Sequence, residues 1–197
     1  MCSSDLRAHA EADLAEVAWT LQTGRRTFAQ RGFAVGADAA SLANALTAAD
    51  FATQLKKTSD RAPSVVFLFP GGGAQYPGMA RALYEHEPAF RAAADVCLAA
   101  IPPTLATAVR ELLFGAKANA AHGDELERPS LALPALFLVE YALARTLQSF
   151  GVTPDAMLGH SMGEYVAACL GGTLTPQQGM QIVQLRGELF EQVQRGA

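Results

Sequence analysis

Half of the 197 residues are hydrophobic and 17% are charged, so the chain can bury a core and is not disordered throughout. A net charge of −4 excludes the basic surplus that nucleic acid or an anionic membrane surface would demand. The length suits one domain or a little more.

Cys2, Cys97 and Cys169 are odd in number and lack metal-like spacing, which points to a reducing, cytoplasmic setting with buried or incidental thiols. No secretory signal opens the sequence. The most apolar long stretch, Leu131 to Val139, is too short to cross a bilayer and runs into Glu140. Met1 to Leu6 carries no pattern and reads as a tail unrelated to the fold.

In chain order, Leu14, Val17, Ala18 and Leu21 repeat at helical spacing and predict a helix from Ala10 to Gln22, with Gly24 as its stop. Thr27 to Val35 mixes β-formers with small residues and reads as a strand. Arg25 and Arg26 solvate its edge. Asp38 is a cap for a second helix through Leu46. Lys56 to Pro63 is polar and ends in proline, which places a boundary near residue 61. Residues 1–60 form a small α+β part with too little surface to be stable undocked; residues 61–197 form the main part.

Val65 to Phe69 is a short apolar run between Pro63 and Pro70-Gly71-Gly72-Gly73, the pattern of a buried parallel strand. The glycines are not a phosphate loop, since no Gly-Lys-Ser/Thr follows. They are not a dinucleotide fingerprint, since Tyr76 stands where the third glycine belongs. A plain loop and a loop whose amides approach a ligand both remain open. Met79 to Leu98 is helical with a break at Pro88, Leu105 to Phe114 is a further helix, and Gly115 to Glu127 is a polar loop. From Pro134 to Ser149 a helix carries Leu136, Val139, Leu143 and Leu147 as one stripe.

Gly159-His160-Ser161-Met162-Gly163 follows the short apolar run Ala156-Met157-Leu158 and precedes a helix from Glu164 to Leu170, ended by Gly171-Gly172. This is G-x-S-x-G in a strand–turn–helix context. A serine on so sharp a turn needs flanking residues without a Cβ, and the turn aims Oγ and the next amides at one spot. Thr175-Pro176-Gln177-Gln178 is a capping box that opens a helix to about Gln194. Its apolar stripe holds Ile182, Val183, Leu185, Leu189, Phe190 and Val193, with Arg186 near the middle. An arginine there either bridges to a buried acid or snorkels to the edge, or else clamps a substrate carboxylate.

Phe69 to Tyr76, Gly159 to Tyr165 and Arg186 together resemble the acyltransferase domain of modular type I polyketide synthases, a pattern shared with the malonyl transferases of fatty-acid synthesis. Asp13 to Ala34, with Leu21-Gln22-Thr23-Gly24-Arg25-Arg26, resembles the linker between ketosynthase and acyltransferase. The resemblance implies an α/β fold: the N-terminal part of an α/β-hydrolase-like core, a parallel sheet flanked by helices, preceded by a small α+β linker domain. It implies Ser161 as the acylated nucleophile, with the amides of Gly72 and Met162 as the oxyanion hole. Arg186, Gln75 and His160 fall among the substrate-binding residues, Arg186 pairing with the carboxylate of a malonyl-type extender unit.

No cofactor or metal is implied. The implied partners are malonyl-CoA or a related acyl-CoA, the phosphopantetheine thiol of an acyl carrier protein, and an adjoining ketosynthase. Gly72 and Leu133 depart from the family, which favours glutamine at both places. An apolar residue at Met162 leans to malonyl over methylmalonyl units.

A serine nucleophile needs a base. His9, His86 and His122 lie in the linker, a surface helix and a loop, and His160 adjoins the serine on the sharp turn. The resemblance puts the base past Ala197, with the family's small ferredoxin-like subdomain, and the chain reads as linker plus the first half of an acyltransferase. A serine esterase or lipase explains the elbow but neither Arg186 nor the Pro70 to Gln75 loop. A non-catalytic docking fragment is the remaining alternative.

Overall fold

The computed structural model describes residues 3–57, 62–115 and 124–195. It divides into two compact units, Met1–Pro63 and Ser64–Ala197.

The first unit holds helices α1 (Ser3–Ala8), α2 (Leu14–Thr23), α3 (Ala39–Thr47) and α4 (Phe51–Gln54). Two short strands, β1 (Gln30–Arg31) and β2 (Lys56–Lys57), pair antiparallel. Helix α2 begins at Leu14 and not at Ala10, because the Asp13 carboxylate caps it, accepting from the amides of Ala15 at 2.8 Å and Glu16 at 3.3 Å. Asp38 caps α3 through a capping box with Ser41.

The expected strand over Thr27 to Val35 shrinks to two paired residues, and the expected linker supplies their partner. Residues 58–61 of that linker lie outside the described residues. Leu6 corrects the reading of the first residues as an unrelated tail: it is buried against Ala39 and Ala43. One large apolar side chain on a six-residue helix leaves no periodicity to detect. Trp19, Phe28, Phe33 and Val35 stay largely exposed in this unit.

The second unit is the α/β core. Strand β3 (Val66–Phe69) pairs in parallel with β4 (Ala156–Gly159), in the register Val66 to Ala156 and Phe69 to Gly159. Between them run α5 (Arg81–His86), α6 (Pro88–Leu98), α7 (Pro103–Phe114), a 3-10 turn (Asp124–Glu127) and α8 (Pro129–Ser149). Residues 116–123, with His122 among them, lie outside the described residues. Helices α9 (Gly163–Leu170) and α10 (Pro176–Arg195) follow β4. The capping box of α10 forms as its sequence implies: the Thr175 amide donates to Gln178 Oε1 at 2.9 Å and the Gln178 amide to Thr175 Oγ1 at 3.1 Å.

Three expectations change. Helix α8 starts at Pro129, five residues ahead of Pro134, which it carries as an interior residue. Pro129 occupies the first turn, where a missing N–H costs nothing. From Leu131 to Ala142 every residue of α8 is buried, so no single stripe faces the core, while Leu143 is exposed. At 21 residues α8 is long and apolar enough to cross a membrane by length and composition, but it lies mostly inside this unit. Strand β3 is buried on one face only: Phe67 and Phe69 point into the core, while Val66 and Leu68 are open, as is Leu158 on β4.

Candidate active site

The elbow is built by close packing between β3, β4 and α9. The His160 amide donates to the Phe69 carbonyl at 2.9 Å, which carries the β3–β4 pairing one residue past Gly159. The chain then reverses, and the Gly163 amide donates to the His160 carbonyl at 3.0 Å. Ser161 sits at the tip with φ of 53°, in the left-handed region, and is exposed. Non-glycine residues enter that region at a cost and cluster there at functional sites.

A Cβ on Gly159 would lie 2.2 Å from the Glu164 amide nitrogen, and one on Gly163 would lie 2.4 Å from the Phe69 carbonyl oxygen. Neither position admits a side chain. Met162, next to the serine, is fully buried in the core and is the N-cap residue of α9. Its anchored side chain holds the amides at the start of that helix in place.

The loop after β3 lies against the elbow. Gly71 is buried, and a Cβ there would lie 2.7 Å from His160 Nδ1 and 3.2 Å from the His160 carbonyl oxygen. The imidazole thus packs over Gly71. Gly72 is exposed, and an added Cβ would make only an ordinary contact with Leu133 at 3.7 Å. Packing does not require glycine there.

Gln75 uses both ends of its amide on the protein: Oε1 accepts from the Gly73 amide at 2.8 Å, and Nε2 donates to the Leu126 carbonyl at 3.0 Å. The side chain braces the glycine loop against the 3-10 turn.

Arg186 is half-buried on α10. Of the apolar stripe expected around it, only Val183 joins the buried face. Met180, Val183 and Gly187 are buried, whereas Ile182, Leu185, Leu189, Phe190 and Val193 are exposed. The helix seats on its neighbours through the first line, and Arg186 lies beside it. Nη1 of Arg186 donates to the Tyr165 hydroxyl at 3.1 Å, and its Cζ stands 5.8 Å from the Tyr165 ring centre and 5.1 Å from that of Phe190. The ion pairs among the described residues join His9 to Glu11, His86 to Glu85, Arg110 to Asp95 and Arg128 to Glu191; Arg186 is in none of them. The bridge to a buried acid is therefore not what holds it.

No imidazole hydrogen-bonds Ser161 Oγ among the described residues. Among the described residues no three His, Cys, Asp or Glu side chains gather to hold a metal ion either.

Sequence reasoning missed Tyr165 and Phe190 as the partners of Arg186. A tyrosine four residues past the serine was a visible signal, but nothing in the pattern paired it with α10. It also passed over Glu140. That carboxyl is 8% exposed, neither of its oxygens has a hydrogen-bond partner among the described residues, and burial pushes its pKa up to about 8. It borders a cavity of about 380 Å³ between β3 and α8 whose other lining residues are all apolar.

A strained, exposed serine between a parallel strand and a helix, under a glycine-rich loop, defines an α/β protein equipped for covalent chemistry from serine. Residues 66–197 match the family model described as "Acyl transferase domain", and residues 4–53 match "RhiE-like, KS-MAT linker domain". The chain belongs to the acyl transferase domain family, and it is of the polyketide synthase kind, a transferase segment preceded by a ketosynthase-to-acyltransferase linker.

It is 40% identical over 182 residues to the polyketide synthase GfsA of Streptomyces halstedii, covering 87% of this chain and 2% of that protein. The solved acyl transferase domain of ZmaA superposes with a TM-score of 0.84 at 34% identity, covering 95% of this chain and 43% of that domain. The acyl transferase domain of SpnD, solved in complex with 2-(pent-4-yn-1-yl)malonyl, gives 0.78 at 36% identity over 95% of this chain and 43% of that domain. The chain thus spans somewhat less than half of these solved chains, and 2% to 9% of these polyketide synthases.

Proposed function

We propose that this chain supplies the nucleophile, the oxyanion donors and the carboxylate clamp of an acyltransferase that loads a malonyl-type extender unit from coenzyme A. The observation that carries this reading is the pairing of two features. Ser161 is exposed in strained backbone. The half-buried Arg186, with no acidic partner among the described residues, bonds to a tyrosine on the helix that starts two residues past that serine. An esterase needs the first feature and has no use for the second. The malonyl compound bound to the SpnD domain supports the choice of substrate class.

In the proposed reaction Ser161 Oγ attacks the thioester carbonyl, and its proton passes to a base that the family resemblance puts past Ala197. The tetrahedral oxyanion takes N–H bonds from Met162 and Gly72, donors fixed before the reaction begins. Collapse breaks the C–S bond and releases coenzyme A as its thiol. The phosphopantetheine thiol of an acyl carrier protein then attacks the acyl-serine and restores Ser161. Arg186 holds the malonyl carboxylate through both halves. His160, packed on Gly71, lines the approach, and Gln75 acts by bracing the loop that presents Gly72.

The linker unit docks on an adjoining ketosynthase, and the setting is cytoplasmic, in keeping with the free, buried thiols of Cys97 and Cys169. The domain division proposed is 1–60 linker and 61–197 acyltransferase. Incubating the full-length acyltransferase domain, this chain continued through the segment to which the resemblance assigns the base, with malonyl-CoA and mapping the adduct by mass spectrometry tests the reading. A malonyl mass on the Ser161 peptide supports it. Free malonate without an adduct means hydrolysis, and no reaction at all leaves only a docking role; either result overturns the proposal.

A further inference from the structure

Arg186 is held by two aromatic rings and a hydroxyl, from two different helices. Tyr165 reaches it from α9, four residues past Ser161. Phe190 reaches it from α10 itself, one helical turn beyond Arg186. A ring face attracts a guanidinium without neutralising it, whereas an acid would cancel the charge. A hydroxyl acceptor occupies one N–H and leaves the others to a ligand. The arrangement thus restricts the long side chain to one orientation while keeping its charge and most of its donors available. A free arginine would lose that rotamer freedom on each binding event.

The position matters as much as the charge. The Tyr165 hydroxyl ties the guanidinium to the elbow helix, so Arg186 takes its reference from the same element that carries the nucleophile. Any shift of α10 relative to α9 is felt at this contact.

We propose that Tyr165 and Phe190 are positioning residues for acyl transfer, orienting the Arg186 guanidinium for the carboxylate of the incoming extender unit. This rests on the reading of Arg186 as the carboxylate clamp. Neither residue touches the reacting carbonyl. Their effect is confined to thioesters that carry a free carboxylate.

The test is steady-state loading of the full-length acyltransferase domain, this chain continued through the segment to which the resemblance assigns the base, with malonyl-CoA and with acetyl-CoA, for Tyr165→Phe, Phe190→Leu and Arg186→Ala. Tyr165→Phe keeps the ring and removes only the acceptor. It is expected to raise KM for malonyl-CoA about three- to tenfold, the worth of one hydrogen bond, with kcat changed by less than about twofold and acetyl-CoA unaffected. Phe190→Leu is expected to give the same selective loss with the hydrogen bond intact, so the proposal stays testable if either variant folds poorly. Arg186→Ala separates the two levels of the argument. If it hurts malonyl-CoA selectively while both aromatic variants behave as wild type, the clamp stands and the positioning role is overturned. If Arg186→Ala weakens both thioesters equally, the clamp reading itself falls, and this proposal with it. Equal losses on both substrates in the aromatic variants mean a structural role and also overturn it.

Discussion

Gly163 lies so close to Phe69 that a Cβ on it would come within 2.4 Å of the Phe69 carbonyl oxygen. The last residue of β3 and the first residue of α9 are therefore in contact backbone to backbone, and this contact sets the sharpness of the turn that carries Ser161. Gly163→Ala should force β3 and α9 apart and cost about 1–3 kcal/mol, the usual penalty for overpacking. Chemical denaturation of Gly163→Ala against wild type checks this, and equal midpoints would show that the elbow can relax.

Ser161→Ala should abolish acyl loading and leave thermal stability unchanged, because the side chain is exposed and alanine bears the φ of 53° about as well as serine. A β-branched residue does not. Ser161→Val should lose about 1–3 kcal/mol through strain in the left-handed region. Melting curves of the two variants side by side distinguish loss of the hydroxyl from loss of the backbone geometry.

Arg186→Ala should weaken loading of malonyl-CoA about 10- to 100-fold while sparing acetyl-CoA, since a charge-assisted bidentate contact is lost. Competition between the two thioesters, read by the mass of the acyl-serine, measures the ratio directly.

Glu140 makes stability depend on pH in an unusual direction. Its carboxyl is buried among apolar groups without a partner among the described residues, and its pKa rises to about 8 from an ordinary value of 4.5. Between these two values the folded protein keeps a proton that the unfolded chain has released. Stability from this group is therefore full below about pH 4.5, falls as pH rises, and levels off above about pH 8. Glu140→Gln should flatten that decline and stabilise the protein most at the alkaline end. Denaturant midpoints of both proteins across this range provide the check, and parallel profiles would mean that the carboxyl finds a partner.

Met162 is fully buried, so a polar replacement acts on the core before it acts on selectivity. Met162→Gln should cost about 1–3 kcal/mol for an amide left without partners. In the wild type we expect malonyl to be preferred over methylmalonyl, with a margin kept small by the flexible thioether and by the modest worth of one methyl group. Offering both thioesters at equal concentration to the full-length acyltransferase domain measures the preference; a majority of methylmalonyl on Ser161 would reverse it.

The amino-acid sequence alone determined the parts whose causes are local. Gly159 and Gly163 flank a serine because the turn between a strand and a helix admits no Cβ, and that requirement is written in five consecutive residues. The Thr175–Gln178 box and the Asp38 cap are equally short-range, one side chain meeting an amide three residues away.

Tertiary structure decided everything that depended on which elements meet. The helical pattern of α10 puts Arg186 in an apolar stripe, but only the packing of Met180, Val183 and Gly187 turns most of that stripe outward and leaves the guanidinium against Tyr165. The Gln75 amide spans from Gly73 to Leu126, a partner 51 residues away, and no local pattern announces that brace. Glu140 was unreadable for the same reason: an acid in an apolar run is solvated or orphaned according to what closes around it, and periodicity along one helix says nothing about its neighbours.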